Sequence, residues 1–371
     1  MHPRHVYVHV PFCARRCSYC DFSIAVRHVV PAATFAAAVA RELDLRFPRG
    51  HAPWRAETLY FGGGTPSHLG ADGVARLMDV ARARVVLEAG AEVTLEANPE
   101  DVTLDAARAW RTAGITRVSL GAQSFDDRVL TWMHRSHDAA GTVAAFRALR
   151  EAGFDDLSLD LIFSVPDTLE RDWARDVNAA LALAPEHLSL YGLTIEPHTP
   201  LGRWAERREV IEAPEERYAD EFMRAHREAT AAGFTHYEVS NFGRGAFRGR
   251  HNSAYWRGVP YAGLGPSAHE FDGATRRWNV APYAEWQRDL EEGRDPMEDN
   301  ELLNSSESVT EGVYLGLRTD AGLELAAGEW ATAEPWMAAG WAERRGDRLT
   351  LSPQGWLRMD GIALTLIGSR L

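Results

Sequence analysis

Strand-like and helix-like patterns alternate along the first half of the chain. Short runs rich in β-branched and aromatic residues end in polar or glycine-rich turns, and amphipathic, alanine-rich segments follow them. The candidate strands are 5–12, 57–61, 92–96, 116–121, 157–163 and 187–193, and the candidate helices are 34–47, 71–88, 104–113, 139–152 and 169–184. This alternation predicts an α/β fold with helices packed on a parallel sheet. We interpret it as a partial (β/α)6 barrel, although an open doubly wound sheet would give a similar pattern.

Composition limits the classes of function. The chain has 371 residues, enough for one large barrel and an appendage, and its net charge of −13 argues against nucleic acid as a partner. All 40 basic residues are arginine, which excludes Schiff-base chemistry on lysine. The sequence shows no signal peptide and no apolar run long enough to cross a bilayer. We therefore expect a cytoplasmic protein.

The three cysteines lie together just after the first candidate strand. Cys13, Cys17 and Cys20 are the only cysteines, so no disulfide framework is expected. Three thiolates on one short loop cannot complete a tetrahedral site, but they can hold three irons of a 4Fe–4S cube and leave the fourth iron open. The alternatives are a zinc site without a nearby fourth ligand and three ordinary buried cysteines.

Polar or glycine-rich motifs follow the later candidate strands. GGGTP (62–66) follows the second strand, Glu96 and Asn98 the third, Gln123 the fourth, and Asp160 lies in the fifth. In a parallel barrel the carboxyl ends of the strands form one mouth, where chemistry gathers. A polar ligand at this mouth explains these residues together, whereas each one alone could equally cap a helix or satisfy a strand end.

HNSAYW, residues 251–256, combines an imidazole with aromatic side chains. His251 can supply a ligand to heme iron, and Tyr255 and Trp256 offer flat apolar surface to a porphyrin. Three arginines just upstream, Arg244, Arg248 and Arg250, are candidates for pairing with heme propionates. The alternative is a loop whose His and Tyr bond locally while Trp256 packs in the core.

The second half of the chain adds smaller elements. Residues 214–232 predict a helix that leads to a strand at HYEVSNF, where Glu238 and Asn241 serve either a central cavity or a sheet edge. Helices are expected at 305–316, 325–329 and 336–343, followed by a strand, a turn and a helix from Pro353. We expect three segments: the barrel (1–200), an α/β extension carrying HNSAYW (201–290), and a small helical, winged-helix-like module (291–371).

The cysteine spacing, CxxxCxxC with Tyr19 before the last cysteine, resembles the radical S-adenosylmethionine superfamily. Within it, YVHVPFC, YFGGGTP, LEANPE, SLDLIFSVP, LTIEPHTPL, HYEVSNF and HNSAYW resemble the HemN/HemW group. Coproporphyrinogen dehydrogenases of that group carry a further cysteine where this chain has Phe22. They also carry an extension before the first strand. Both differences favour the heme-chaperone branch.

The resemblance implies three bound groups. Cys13, Cys17 and Cys20 would hold a 4Fe–4S cluster, and His251, Asn252, Tyr255 and Trp256 would contact heme. S-adenosylmethionine would be bound by Tyr7, Tyr19, Phe22, Gly63, Gly64, Thr65, Glu96, Gln123, Arg135 and Asp160. His269, in GLGPSAHEF, would lie near that S-adenosylmethionine site.

The implied function is that of a heme chaperone without coproporphyrinogen dehydrogenase activity. It would pass heme to acceptor proteins, such as those of the respiratory chain, and take electrons for its cluster from a donor. A homodimer is left open. The alternatives are an oxygen-independent coproporphyrinogen III dehydrogenase, which decarboxylates propionates oxidatively, and another HemN-like radical enzyme such as a methyltransferase.

Overall fold

Six parallel strands form the centre of the molecule. The computed structural model describes residues 2–48, 50 and 53–371. The strands are β1 (His5–Val10), β2 (Trp54–Gly63), β3 (Val85–Ala97), β4 (Arg117–Gln123), β5 (Leu157–Phe163) and β6 (His187–Gly192). Each strand pairs with the next in chain order, and all five pairings are parallel. The prediction of a partial barrel is confirmed.

Further strands extend this sheet at both edges. Beyond β6 lies an antiparallel hairpin of β7 (Thr235–Glu238) and β8 (Asn241–Gly243), where the sequence predicted one strand. Beyond β1 lie β9 (Tyr261–Leu264), β10 (His269–Phe271), β11 (Thr275–Asn279) and β12 (Met297–Leu302). Only β9 is parallel to its barrel neighbour. The described residues thus form an open sheet of 12 strands.

Helices connect the strands. They are α1 (Ala32–Arg46), α2 (Gly70–Arg82), α3 (Leu104–Ala113), α4 (Asp127–Trp132), α5 (Ala139–Glu151), α6 (Trp173–Ala182), α7 (Pro200–Glu206), α8 (Glu215–Ala231), α9 (Arg250–Trp256) and α10 (Tyr283–Glu291). Among the described residues, none of the helices is long and apolar enough to cross a membrane.

Two helix predictions were too long. The predicted helix 71–88 ends at Arg82, and residues from Val85 onward belong to β3, because β-branched residues favour a strand there. The predicted helix 169–184 begins only at Trp173, where the side chain of Asp172 accepts a hydrogen bond from the N–H of Arg175.

The C-terminal module contains helices and a three-stranded sheet. Its elements are α11 (Ser305–Arg318), β13 (Leu323–Glu324), α12 (Trp330–Ala338), β14 (Ala342–Arg345), β15 (Arg348–Leu351), α13 (Pro353–Trp356) and α14 (Met359–Arg370). The predicted helix 336–343 was wrong in its second half. Gly340, with φ +73°, turns the chain out of α12, and the next residues pair with β15. The predicted helix 325–329 is only a short 3₁₀ turn at Ala327–Glu329.

The division into three segments stays a prediction. Its second boundary, at residue 290, falls before the last strand of the main sheet. The strand β12 pairs with β11 at the edge of the main sheet, so the main sheet continues to Leu302.

Successive side chains of β1 point alternately to the hydrophobic core and to the barrel interior. Val6, Val8 and Val10 are almost fully buried and belong to the core packed under the helices. His5, Tyr7 and His9 point to the opposite face, as the two-residue period of a strand requires. The interior of the barrel is therefore lined with polar and aromatic groups.

The turn after β2 packs against the cysteine loop. A Cβ at Gly64 would lie 2.8 Å from the carbonyl carbon and oxygen of Pro11, and a Cβ at Gly63, where φ is +114°, would lie 2.7 Å from the His9 ring. Both glycines are thus required by close packing on the segment that carries the cysteines.

We predict that Gly64→Ala destabilises the protein by about 1–3 kcal/mol, because the new methyl group meets backbone atoms that cannot move aside. Thermal unfolding of the purified protein measures this effect. Gly361→Ala is the matched control, since a Cβ at this position in α14 meets nothing within 4 Å. Equal stability of the Gly64→Ala variant and the wild type would contradict the packing argument.

Candidate functional site

The cysteine loop is fixed at both ends and in its middle. Phe12–Cys13 pairs with Ala25–Val26 in a short two-stranded ladder. Between them, the N–H of Ser18 donates to the carbonyl of Met133 (3.1 Å), and the Ser18 carbonyl accepts from the N–H of Leu201 (2.8 Å). The loop is therefore held at the carboxyl end of β1 by residues from distant parts of the chain.

Two polar side chains contact the cysteine sulfurs. Thr65 Oγ1 lies 3.3 Å from Cys13 Sγ, and Arg135 Nη1 lies 3.5 Å from Cys17 Sγ. Arg135 also donates to Asn98 Oδ1 (2.6 Å), which holds the guanidinium in place. Burial raises the pKa of the Cys13 thiol to about 12. Iron binding at this site would therefore have to release a proton.

The donor set fits an iron–sulfur cluster better than a single ion. In the part of the chain that the structure describes, no three His, Cys, Asp or Glu side chains converge as a single metal ion would require. A 4Fe–4S cube needs no such convergence, because each thiolate binds a different iron. Cys13, Cys17 and Cys20 nevertheless line one cavity.

That cavity, which we call the cluster cavity, has a volume of about 430 Å³. Most of the residues predicted for the cluster and S-adenosylmethionine line it: Cys13, Cys17, Tyr19, Cys20, Phe22, Gly63, Gly64, Thr65, Glu96, Gln123, Arg135 and Asp160. Asn98 and Asn252 line it as well. The fold thus brings side chains from all the later strand ends to the cysteine loop.

Several lining residues were missed by the sequence reasoning: Tyr60, Arg117, Ser119, Ser189 and Tyr191. Period-two alternation was the available signal. Tyr60 lies two residues before Gly62, and Ser119 two residues before Gly121, so each faces the interior with its partner.

Glu96 is the most strongly perturbed carboxyl group of the cluster cavity. Its Oε1 accepts from the Tyr60 hydroxyl (2.7 Å) and its Oε2 from the Gly63 N–H (3.0 Å). Burial, together with the nearby charge of Asp160, raises the pKa of Glu96 to about 7. Burial also raises the pKa of Asp160, which accepts from the Ser119 hydroxyl at 3.0 Å. A cationic ligand would favour the charged forms of both carboxyls.

The glycine turn has its N–H groups already occupied. The Gly63 N–H donates to Glu96, the Gly64 N–H to the Val10 carbonyl (2.8 Å), and the Thr65 N–H to the Phe12 carbonyl (2.8 Å). What the turn can still offer a ligand is therefore carbonyl oxygen. Such acceptors suit an ammonium group, such as the one at the methionine end of S-adenosylmethionine.

Gln123 is held in an unusual conformation. Its φ is +63°, and the pairing of β4 with β5 shifts register between Leu120 and Gln123. Such irregularities re-aim a side chain and are retained where surrounding structure over-determines them. Here the bulge turns the end of β4 toward the cluster cavity.

HNSAYW forms most of α9, a short helix rather than a loop. Glu92 of β3 accepts hydrogen bonds from the backbone N–H groups of Arg250 (2.7 Å) and His251 (2.9 Å). This carboxylate occupies the N-terminal end of the helix, where an acceptor is favoured. The helix is thereby attached to the interior face of the barrel.

His251 is buried and both of its ring nitrogens are occupied. Nδ1 lies 2.7 Å from Thr58 Oγ1 and Nε2 lies 2.8 Å from the Tyr255 hydroxyl. Its ring stacks on Tyr60, and burial lowers its pKa to about 3. The imidazole is therefore neutral, and binding of iron would require one of these hydrogen bonds to break.

The other members of the motif face two different cavities. Asn252 lines the cluster cavity, whereas Tyr255 and Trp256 line a second cavity of about 470 Å³. Tyr7 and His269 also line this second cavity and not the cluster cavity, where the sequence had placed them. The residues predicted to contact heme therefore line two different cavities, and the buried His251 lies between them.

The three arginines upstream of the motif are engaged within the protein. Arg248 forms a two-point pair with Asp320 (3.0 and 2.7 Å), and Arg250 donates to the carbonyls of Gly90 and Glu57. The guanidinium of Arg244 lies 4.3 Å from the centre of the Phe234 ring. For Arg248 and Arg250 the contacts do not support the expectation that these groups pair with propionates, whereas Arg244 Nε is buried and has no hydrogen-bond partner among the described residues.

Glu238 and Asn241 serve the sheet edge. Glu238 is fully buried and lies 3.0 Å from Arg318 of α11, and Asn241 Nδ2 donates to Glu238. Neither residue lines either of the two cavities. Of the two roles considered for them, the structure favours the structural one.

The fold and the cluster cavity together define a radical S-adenosylmethionine protein. Residues 7–180 match the model of the Radical SAM superfamily. Across 98% of this chain and 89% of the other, the structure resembles coproporphyrinogen III oxidase (HemN) from Escherichia coli, with a TM-score of 0.80 and 22% sequence identity. At that identity the likeness concerns the fold alone. Membership in this superfamily implies a 4Fe–4S cluster and S-adenosylmethionine.

Sequence comparison narrows the class. The chain is 39% identical to the heme chaperone HemW of Mycobacterium tuberculosis, covering 99% of this chain and 95% of that protein. It is 32% identical to the heme chaperone HemW of Bacillus subtilis, covering 85% and 84%. The chain therefore belongs to the HemW family.

We predict that replacing Cys13, Cys17 and Cys20 together by Ala abolishes the iron content and the broad visible absorbance of the anaerobically reconstituted protein, because no other thiolates are present. Iron analysis and absorbance spectra measure the effect. Phe22→Ala, which leaves all three thiols in place, is the control. Iron loading of the triple variant equal to that of the wild type would refute the ligand assignment.

We also predict that S-adenosylmethionine binds more weakly as the pH falls through about 7, because protonation of Glu96 removes a negative charge that faces a cationic ligand. The expected change is about tenfold at most, which corresponds to one pKa unit. Equilibrium binding at several pH values measures it. The Glu96→Gln variant should bind weakly with little pH dependence, and an unchanged pH dependence in this variant would contradict the prediction.

Proposed function

We propose that this protein is a heme chaperone. It binds heme, holds a 4Fe–4S cluster and S-adenosylmethionine in the cluster cavity, and passes heme to acceptor proteins such as those of the respiratory chain. The observation that carries the proposal is the extent of similarity to proteins named heme chaperone HemW, which spans nearly the whole chain. A cytoplasmic location and an electron donor for the cluster belong to the same proposal.

The structure supports two separate binding regions. Cys13, Cys17 and Cys20 would hold the cluster, and Glu96, Gln123, Arg135 and Asp160 would hold S-adenosylmethionine. A bound cluster can supply one electron to that ligand. The residues of the chain would position S-adenosylmethionine in different ways. The bulge of β4 directs Gln123 toward it, and the negative charges of Glu96 and Asp160 attract it. Arg135, which contacts Cys17, would place its guanidinium beside the cluster.

Heme contact would fall to the HNSAYW helix. Tyr255 and Trp256 line the second cavity. His251 holds Tyr255 through the hydrogen bond of 2.8 Å, and Asn252 faces the cluster cavity on the other side of the helix. The motif would thus connect the heme site with the cavity that holds the cluster and S-adenosylmethionine. Formation of a homodimer is a separate part of the proposal.

Phe22 argues against coproporphyrinogen dehydrogenase activity. By resemblance, the dehydrogenases of the group have a cysteine at this position, and here an apolar ring, 58% exposed, lines the cluster cavity. The fold similarity to HemN does not decide the activity, since one fold serves many functions.

Anaerobic titration with heme tests the proposal. We predict that the reconstituted protein binds heme stoichiometrically, seen as a Soret band that saturates at a fixed ratio of heme to chain. With coproporphyrinogen III and S-adenosylmethionine present, we expect neither protoporphyrinogen nor 5′-deoxyadenosine. Transfer of heme from the loaded protein to an apo-heme protein gives the second readout. Lack of saturable heme binding, or formation of protoporphyrinogen, would overturn the proposal.

A further inference from the structure

Neither the cluster nor S-adenosylmethionine accounts for the second cavity. It lies between the C-terminal part of α9 and the strands β9 to β11, and its volume of about 470 Å³ lies within the range of cofactor sites. Aromatic and apolar side chains dominate its wall, among them Tyr255, Trp256, Tyr261 and Phe271. Such a wall suits a flat apolar ligand.

Two histidines line this cavity, and they differ in availability. His9 is buried, with Nδ1 3.1 Å from the Tyr7 hydroxyl and Nε2 3.0 Å from the Ser23 carbonyl. His269 is exposed, and its ring nitrogens have no hydrogen-bond partner in the described part of the chain. Only its ring face is engaged, by stacking on Trp278 at 5.6 Å.

The surroundings of His269 favour the protonation state that a metal requires. Burial, together with the positive charge of Arg276, lowers the pKa of His269, which favours the neutral imidazole. A neutral imidazole nitrogen is a common ligand to heme iron. The third histidine near the cavity, His251, has both nitrogens bonded to Thr58 and Tyr255.

We propose that heme binds in the second cavity with His269 as an axial ligand of its iron, while Tyr255 and Trp256 pack against the porphyrin. This inference rests on the proposed heme-chaperone function and places the heme site outside the cluster cavity. His251 is then a positioning residue, which holds Tyr255 at the cavity wall and does not touch iron.

The charges around the cavity decide how the porphyrin is oriented. Arg276 is the cation of the wall, and it is paired with Glu311 and with Glu301 (3.2 Å). No unpaired guanidinium is therefore available to the propionates among the described lining residues. The propionates accordingly point outward to solvent, past the exposed His269, where an acceptor protein can reach the heme.

Heme titration of the anaerobically reconstituted full chain tests the inference, with absorbance and electron paramagnetic resonance to identify the axial ligand. His269→Ala should weaken heme binding about tenfold or more and remove the imidazole signature, while iron–sulfur content and S-adenosylmethionine binding stay unchanged. His198→Ala, which replaces an exposed histidine that lines neither cavity, is the matched control and should behave as the wild type.

Two more variants keep the outcome decisive. His269→Gly with added imidazole should regain the spectrum of the wild type, which separates a lost ligand from a damaged fold. His251→Ala should weaken binding but keep the imidazole signature. Failure of imidazole rescue, or loss of the signature in His251→Ala and not in His269→Ala, would overturn the assignment. If the wild type itself binds no heme, the proposed function fails instead.

Discussion

The carboxylate of Glu92 attaches the HNSAYW helix α9 to the interior face of the barrel. It is almost fully buried in β3 and accepts the first two backbone N–H groups of α9. Thr58 of β2 adds a hydrogen bond to the side chain of His251. An unsatisfied carboxylate at this depth would be costly, so the helix is fixed against the barrel interior. This attachment fixes the start of the helix that carries the HNSAYW side chains.

An aromatic layer separates the cluster cavity from the second cavity. Tyr60 faces the cluster cavity, Tyr7 faces the second cavity, and their rings stack at 6.0 Å with His251 against Tyr60 at 5.0 Å. No described residue lines both cavities. Two ligands could therefore be held at once without direct contact. The hydrogen bond of Tyr60 to Glu96 gives the layer one polar link to the cluster cavity.

Charge is handled differently in the two cavities. In the cluster cavity, Glu96 and Asp160 are buried carboxyls with raised pKa values, which suits a cationic ligand. In the second cavity the cation Arg276 is already neutralised by Glu301 and Glu311. Two of the arginines near HNSAYW are likewise engaged within the protein: Arg248 pairs with Asp320, and Arg250 donates to backbone carbonyls. Their clustering in sequence was therefore a poor guide to ligand binding.

The sequence by itself determined the alternation of strands and helices and the chemistry of the strand ends, whereas the structure decided for a barrel over a doubly wound sheet. Alternation placed the six strands, and cysteine spacing together with the polar strand ends identified Cys13, Glu96, Gln123 and Asp160, because both signals are local along the chain. It could not locate Tyr7, His251 and His269 relative to the cavities, since side-chain surroundings there come from segments far apart in sequence. Tyr255 lies one helical turn after His251 on α9, but only the packing of α9 on β2 and β3 brings Thr58 to the other ring nitrogen. Tertiary structure alone decided which histidine is left available, because hydrogen bonds between distant segments leave no periodic trace in the sequence.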